Sequence, residues 1–264
     1  MTDIEIYSIK TITQQYHTGE EPVLVLCSDR ESYVCKYMRS SSASYKLVCE
    51  LIGSCMAAAW DIVTPKVRLV KIKAEHWPNN IKGYRGSAPS LGAEWMENVV
   101  DITPSTCYEI PPSTKLLEQL LKIALFDFWI ANEDRNANNA NLMYDLQKDQ
   151  IVSIDYGCIF NTATFDYPLS QLTMTDTILW SDLFKHITKV VSRQETDCIV
   201  RALRDQYTEL LDRSKTQTKV ILDVLPEEWH VPQTVVKEKM DQLFAAEWTD
   251  GVWNNFIDCF TENL

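Results

Sequence analysis

The stretch from Phe126 to Asp145, FDFWIANEDRNANNANLMYD, decides how this chain is read, together with IVSIDYGCIF at 151–160. An apolar run feeds a polar loop that holds Asp134, Arg135, Asn139 and Asn141. A short β-rich segment then delivers Asp155, followed at once by Tyr156 and Gly157. The Asp134 carboxylate can accept a proton from a hydroxyl. Asn139, five residues on, and Asp155, at a strand end, bring the hard oxygen donors that Mg²⁺ prefers. In this order the residues suit a site for metal-bound phosphate. A plainer reading exists for each half alone. A loop rich in Asn and Asp can simply cap helices and form Asx turns, and Asp134–Arg135 can be a structural salt bridge. Both halves in sequence, flanked by this helix and this strand, favour the chemical reading.

Composition sets the outer bounds. The chain has 264 residues, enough for one two-lobed domain or two small ones. With 45% hydrophobic residues it can bury a substantial core. A net charge of −12 argues against broad nucleic-acid binding, which needs a basic footprint. The eight cysteines occur singly with no CxxC pair, so a zinc site of the usual spacing is not expected and a reducing, cytoplasmic setting is. The N-terminal MTDIEIYSIK lacks the apolar core of a targeting segment. The longest apolar stretch, Leu116 to Ala131, is interrupted by Glu118, Gln119, Lys122 and Asp127, and is too short and polar to span a bilayer.

The first third reads as strands plus one helix. Pro22–Leu26 and Ser32–Tyr37 form a candidate hairpin around Ser28-Asp29-Arg30-Glu31. Alternation puts Lys36 on the face of Val34, away from Tyr33 and Cys35. Taken by itself, such a lysine reads as a snorkelling surface residue. Tyr45–Trp60 carries a helical stripe of Leu47, Val48, Leu51, Ile52, Cys55, Met56 and Ala59, with Glu50 at its edge. A carboxylate there needs a partner, and Lys36 is the candidate if the helix packs on the sheet. A solvated flank position is the equal alternative. Val67–Lys73 alternates as a strand, His76–Ser90 reads as loop, and Leu91–Met96 follows. The pattern changes from strand to helix between residues 97 and 112. After Phe160 the chain reads as helical, with a break at Asp250-Gly251. The four histidines are isolated and are assigned no chemistry.

The order of a strand lysine, a helix glutamate, an Asp-Arg loop and an Asp-Tyr-Gly strand end resembles the HipA-like kinase domain, a branch of the protein-kinase-like fold. The resemblance covers most of the chain, through YVCKYM, CELIGSCMA, LGAEWM, NEDRNANNANLM and SIDYG. It implies an α+β, two-lobed architecture: an ATP-binding, β-rich lobe over 1–97 and a helical lobe over 98–264 with the catalytic and metal-binding loops. It also implies ATP and Mg²⁺. Lys36 would touch the α- and β-phosphates, held by Glu50. The backbone near Glu94 and Met96 would meet the adenine. Asp134 would be catalytic, and Asn139 and Asp155 would hold Mg²⁺. No GxGxxG or P-loop is present, and Arg39–Ser44 is the best substitute, with Ser41 and Ser42 offered to phosphates. Asn136 stands where the better-known HipA toxins carry histidine, so a toxin role does not transfer. The implied activity is phosphoryl transfer to a serine or threonine of a protein substrate, with a regulatory partner protein as a further expectation. A small-molecule or lipid kinase of the same fold, or a nucleotide-binding pseudokinase, are the alternatives.

Overall fold

The computed structural model describes residues 6–79, 81 and 86–262. Residues 80 and 82–85, inside the stretch read as a loop over 76–90, lie outside the described residues. Six strands form the first sheet: β1 (Ile6–Tyr7), β2 (Gln14–Gln15), β3 (Val23–Leu26), β4 (Ser32–Lys36), β5 (Val67–Lys71) and β6 (Ser90–Glu94). Their order is β1-β5-β6-β4-β3-β2, and all neighbours are antiparallel except β1 with β5. Val23 pairs with Cys35 across β3–β4, and Lys36 with Leu91 across β4–β6. Period-two alternation then sorts the faces. Tyr33 and Cys35 enter a small core with Val23, Val25, Val70, Ile72 and Trp77. Val34 and Lys36 look the other way, towards helix α1 (Tyr45–Ala59). The lysine's own strand cannot say that a helix covers that face, which is why the solvated reading of Lys36 gives way.

The second part is built around α2 (Thr114–Ile130), capped at its start by Ser113, whose hydroxyl accepts from Leu116 N–H at 3.3 Å. Strands β7 (Val99–Asp101), β8 (Leu142–Asp145) and β9 (Gln150–Ser153) make a separate three-stranded sheet in the order β7-β8-β9. A one-turn element α3 (Ile159–Ala163) follows, then α4 (Asp182–Thr188), α5 (Arg193–Val224), α6 (Gln233–Gln242) and α7 (Ala246–Glu262). One continuous core runs from Met38 and α1 through α2 to Phe256 and Phe260 of α7. Helix α1 is therefore shared: it lies under the first sheet and packs into the helical part. Trp229 of the PEEW segment reinforces this joint. Its indole N–H donates to Pro89 O at 2.8 Å, and its carbonyl accepts from Ser44 N–H at 2.9 Å.

Two expectations change. The chain after Phe160 is not helical until Asp182: residues 164–181 form loops and two short 3₁₀ turns, in a run rich in threonine and holding Pro168. The expected break at Asp250-Gly251 is absent, and α7 runs through both residues. An interior glycine costs a helix about 1 kcal/mol. Burial of Val252, Phe256 and Phe260 on the same helix outweighs that cost. Among the described residues no helix is long and apolar enough to cross a membrane.

Candidate active site

Three side chains far apart in sequence meet between the sheet and α2. Lys36 Nζ donates to Glu50 Oε1 and lies 2.9 Å from Asp155 Oδ1. Glu50 reaches under the chain after β9, where both its oxygens accept from Tyr156 N–H, at 2.9 and 3.0 Å. This approach depends on Gly53, one turn along α1. A Cβ at that position would stand 2.2 Å from Tyr156 Cβ, so only glycine lets the helix come so close. Asp155 adopts φ 59°, a left-handed conformation that Asp tolerates better than most residues. That turn sets its carboxylate beside Lys36, and it stays 38% exposed while the Glu50 side chain is 8% exposed.

The electrostatics follow from this geometry. Burial opposes the charge on Lys36, but Glu50 and Asp155 outweigh it and raise the ammonium above the usual lysine range. Burial also pushes the Glu50 carboxyl up, against the pull of Lys36. Desolvation opposes the charge on Asp155 as well, yet Lys36 and hydrogen bonding outweigh it and bring its carboxyl down to about 2. Of the two acids, Asp155 is the open one and the readily ionised one.

The loop after α2 is organised from inside. Ala131 ends the helix in a left-handed cap. Asp127, buried in the last turn, accepts from Asn132 Nδ2 at 2.9 Å and from Arg135 Nε at 2.8 Å. Arg135 thus pairs with Asp127 and is fully buried, so the anticipated Asp134–Arg135 salt bridge is not the one that forms. Asp134 is left half-buried and unpaired with Arg135. Its Oδ2 accepts from Asn141 Nδ2 at 3.0 Å.

The five-residue spacing from Asp134 to Asn139 does not bring those side chains together by any hydrogen bond among the described residues. Asn139 is exposed, and its carbonyl accepts from Asn136 N–H at 3.0 Å. An Asx turn from Asn138 N–H to Asn136 Oδ1 at 3.0 Å lies in the same loop. Asn141, directly before β8, is the asparagine on Asp134. Its place at the strand start was the signal available in the sequence.

The remaining candidates lie at the end of β6 and in the β4–α1 loop. Glu94 N–H is spent on Lys66 O at 2.8 Å and Trp95 N–H on Ser32 O at 2.8 Å, so of the two expected adenine contacts Met96 is the one whose N–H the sheet does not use. Ser41 and Ser42 are exposed in the β4–α1 loop. Sequence reasoning missed the hairpin between β2 and β3, whose Thr18-Gly19 turn was the available cue. Its tip folds over this loop. Glu21 accepts from Arg39 at 2.5 Å and Glu20 from Lys46 at 2.7 Å, both exposed pairs. Tyr16, at the base of the tip, stacks on Trp95 with ring centroids 6.5 Å apart.

A model of the HipA-like kinase family matches residues 9–249. No curated protein matches the chain. Among solved structures, the Helicobacter pylori proinflammatory kinase CtkA superposes with a TM-score of 0.54 at 11% identity, covering 98% of both chains, and so shares the fold. Two structures of CtTel1 align more weakly. The open conformation gives 0.39 at 13% identity and the dimer 0.41 at 13%, over 94% and 96% of this chain and 12% of CtTel1 in each case.

Proposed function

The chain belongs to the HipA-like kinase family, and on that premise we propose that it is an ATP- and Mg²⁺-dependent kinase that moves the γ-phosphoryl group to a serine or threonine hydroxyl of a protein. The observation that carries this reading is the position of Lys36, between buried Glu50 and open Asp155, with Asp134 and Asn141 paired in the neighbouring loop. In this reading Glu50 holds Lys36 so that its ammonium meets the α- and β-phosphates. Asp155 and Asn141 supply the hard oxygens for Mg²⁺, and their donor types fit that ion. Bound Mg²⁺ neutralises charge on the phosphate oxygens. Asp134 orients the acceptor hydroxyl and takes its proton. Arg39, tied to Glu21 and the Gly19 carbonyl, and Lys46 at the start of α1, tied to Glu20, can exchange those exposed partners for phosphate, and Ser41 and Ser42 lie in the loop between them. Met96 and the Tyr16–Trp95 pair stand where the base would enter. A cytoplasmic setting fits eight cysteines that are all free.

The test is incubation with γ-labelled ATP and Mg²⁺, alone and with cell lysate, followed by mass spectrometry of the labelled products. Phosphoserine or phosphothreonine on protein is expected. Label confined to a small molecule or lipid would replace the acceptor, and nucleotide binding without transfer would make the chain a binding module. Asp134→Asn should keep nucleotide binding and lose transfer by about 10²-fold or more, the scale of a lost catalytic base.

A further inference from the structure

The segment after Asp155 is held in a conformation that L-residues resist. Phe160, Asn161, Thr162 and Ala163 have φ of 58, 52, 63 and 59° in succession. A left-handed run drives each Cβ towards the following carbonyl, and a β-branched residue such as Thr162 suffers most. Something must hold it there. Phe160 is fully buried, and Asn161 N–H donates to Ala131 O at 2.9 Å. Two side-chain bonds converge on Glu133. Its Oε1 accepts from Asn161 Nδ2 at 2.7 Å, and its Oε2 accepts from Thr162 Oγ1 at 3.0 Å. Asn161 carries the restraint onward, since its side chain closes on Ser170 through Nδ2 to O at 3.1 Å and N–H to Oδ1 at 2.9 Å. From the far side Lys239 Nζ donates to Tyr167 O at 2.7 Å.

Glu133 immediately precedes Asp134, and its carbonyl accepts from Asn136 Nδ2 at 3.2 Å. Both its carboxylate oxygens are committed to the segment 161–162. It therefore links the loop that carries Asp134 to the strand-end segment that starts at Asp155. Arg135, the one cation of that loop, is buried and committed to Asp127 and to carbonyls of Ala140, Asn141 and Ile154. It offers no charge to the segment. We propose that Glu133 is a positioning residue whose carboxylate clamps residues 159–170 against the Asp134 loop and so builds the acceptor side of the candidate site, with no phosphoryl group on the segment required. This rests on the kinase reading above and adds the device that presents the acceptor.

The test uses the full chain with Glu133→Ala, Glu133→Gln and Thr162→Glu, with myelin basic protein as the probe acceptor. Glu133→Ala should lower kcat by about tenfold or more and raise KM for the probe, since small misplacements near the reacting groups cost that much. Mg·ATP affinity by calorimetry should stay within about twofold, because the clamp does not touch the Lys36 cluster. Glu133→Gln should restore most of the activity: its oxygen can accept from Asn161 and its amide can donate to the Thr162 hydroxyl. Thr162→Glu places like charge on Glu133 and should fall as far as Glu133→Ala. Wild-type kcat and KM in Glu133→Ala would overturn the proposal, as would a parallel loss of ATP affinity, which would mark a general structural role. If the wild type transfers no phosphate to any acceptor, the kinase reading fails, and amide hydrogen exchange still decides the clamp. Glu133→Ala must then speed exchange across 159–170 while α2 stays protected. Unchanged exchange there overturns the clamp by itself.

Discussion

Two cations, one buried and one half-buried, lie on either side of the same turn, and they are built differently. Arg135 is fully buried, with its Nε on Asp127 at 2.8 Å, its Nη1 on three carbonyls, its Nη2 without a hydrogen-bond partner among the described residues, and the Tyr156 ring 5.2 Å from its carbon. Lys36 is 20% exposed and faces two acids, one sealed under Tyr156 and one 38% open. The first arrangement leaves no room for a ligand and joins α2, the loop and the end of β9. The second leaves one acid in reach of solvent, so its partners can be exchanged. A cation surrounded by its own protein's carbonyls is a joint, whereas a cation with an open acid beside it is a site.

The largest effect expected on this contrast comes from Arg135→Ala. It strands Asp127 without its partner, and breaking such a pair costs roughly 3–5 kcal/mol. Urea unfolding should show that loss, and a change near 1 kcal/mol would reduce Arg135 to an ordinary contact. Lys36→Met should show the converse pattern. Phosphoryl transfer should fall by about 10²-fold or more, the scale of one lost charge-stabilising donor. The unfolding midpoint should move less than for Arg135→Ala, because Glu50 keeps its Tyr156 N–H bonds and burial already favours its protonated form. Near-wild-type turnover would place Lys36 outside the phosphate site.

A smaller effect separates the two asparagines. Asn141→Ala should weaken Mg²⁺-dependent nucleotide binding by about tenfold, the lower end for a lost ligand or its support. Asn139→Ala, at an exposed position, should leave it unchanged. The reverse result in a calorimetric titration would restore the five-residue spacing. The smallest effect concerns a third cation. Lys239 is 1% exposed, donates to Tyr167 O and has no acid paired to it among the described residues. Burial lowers its ammonium below the usual lysine value of 10.5. Between the lowered value and 10.5 the unfolded chain binds more protons than the folded one, so this group makes stability rise with pH in that window. Lys239→Met should flatten the alkaline limb of a stability–pH profile, and an unchanged slope would show that Lys239 titrates normally.

The sequence by itself determined the order of the parts. The alternation of β4, the apolar stripe of α1, and the polar loop between α2 and β8 were all legible, because burial imposes a period of two on strands and 3.6 on helices. Lys36, Glu50, Asp134 and Asp155 also stood out there as candidates, since a lysine in a strand or an acid at a buried edge departs from that periodicity. The tertiary structure alone decided which partner each one takes. Nothing local to Lys36 says that α1 covers its face, and nothing between Asp127 and Arg135 marks them as a pair ahead of Asp134 and Arg135. Spacing pointed to Asn139, and only the folded loop pairs Asn141 with Asp134. Glu133 and the left-handed turn it holds were invisible for the same reason. Local sequence records which residues prefer burial or a given backbone shape, whereas hydrogen bonds between residues 28 or 106 positions apart form only once packing has brought the segments together.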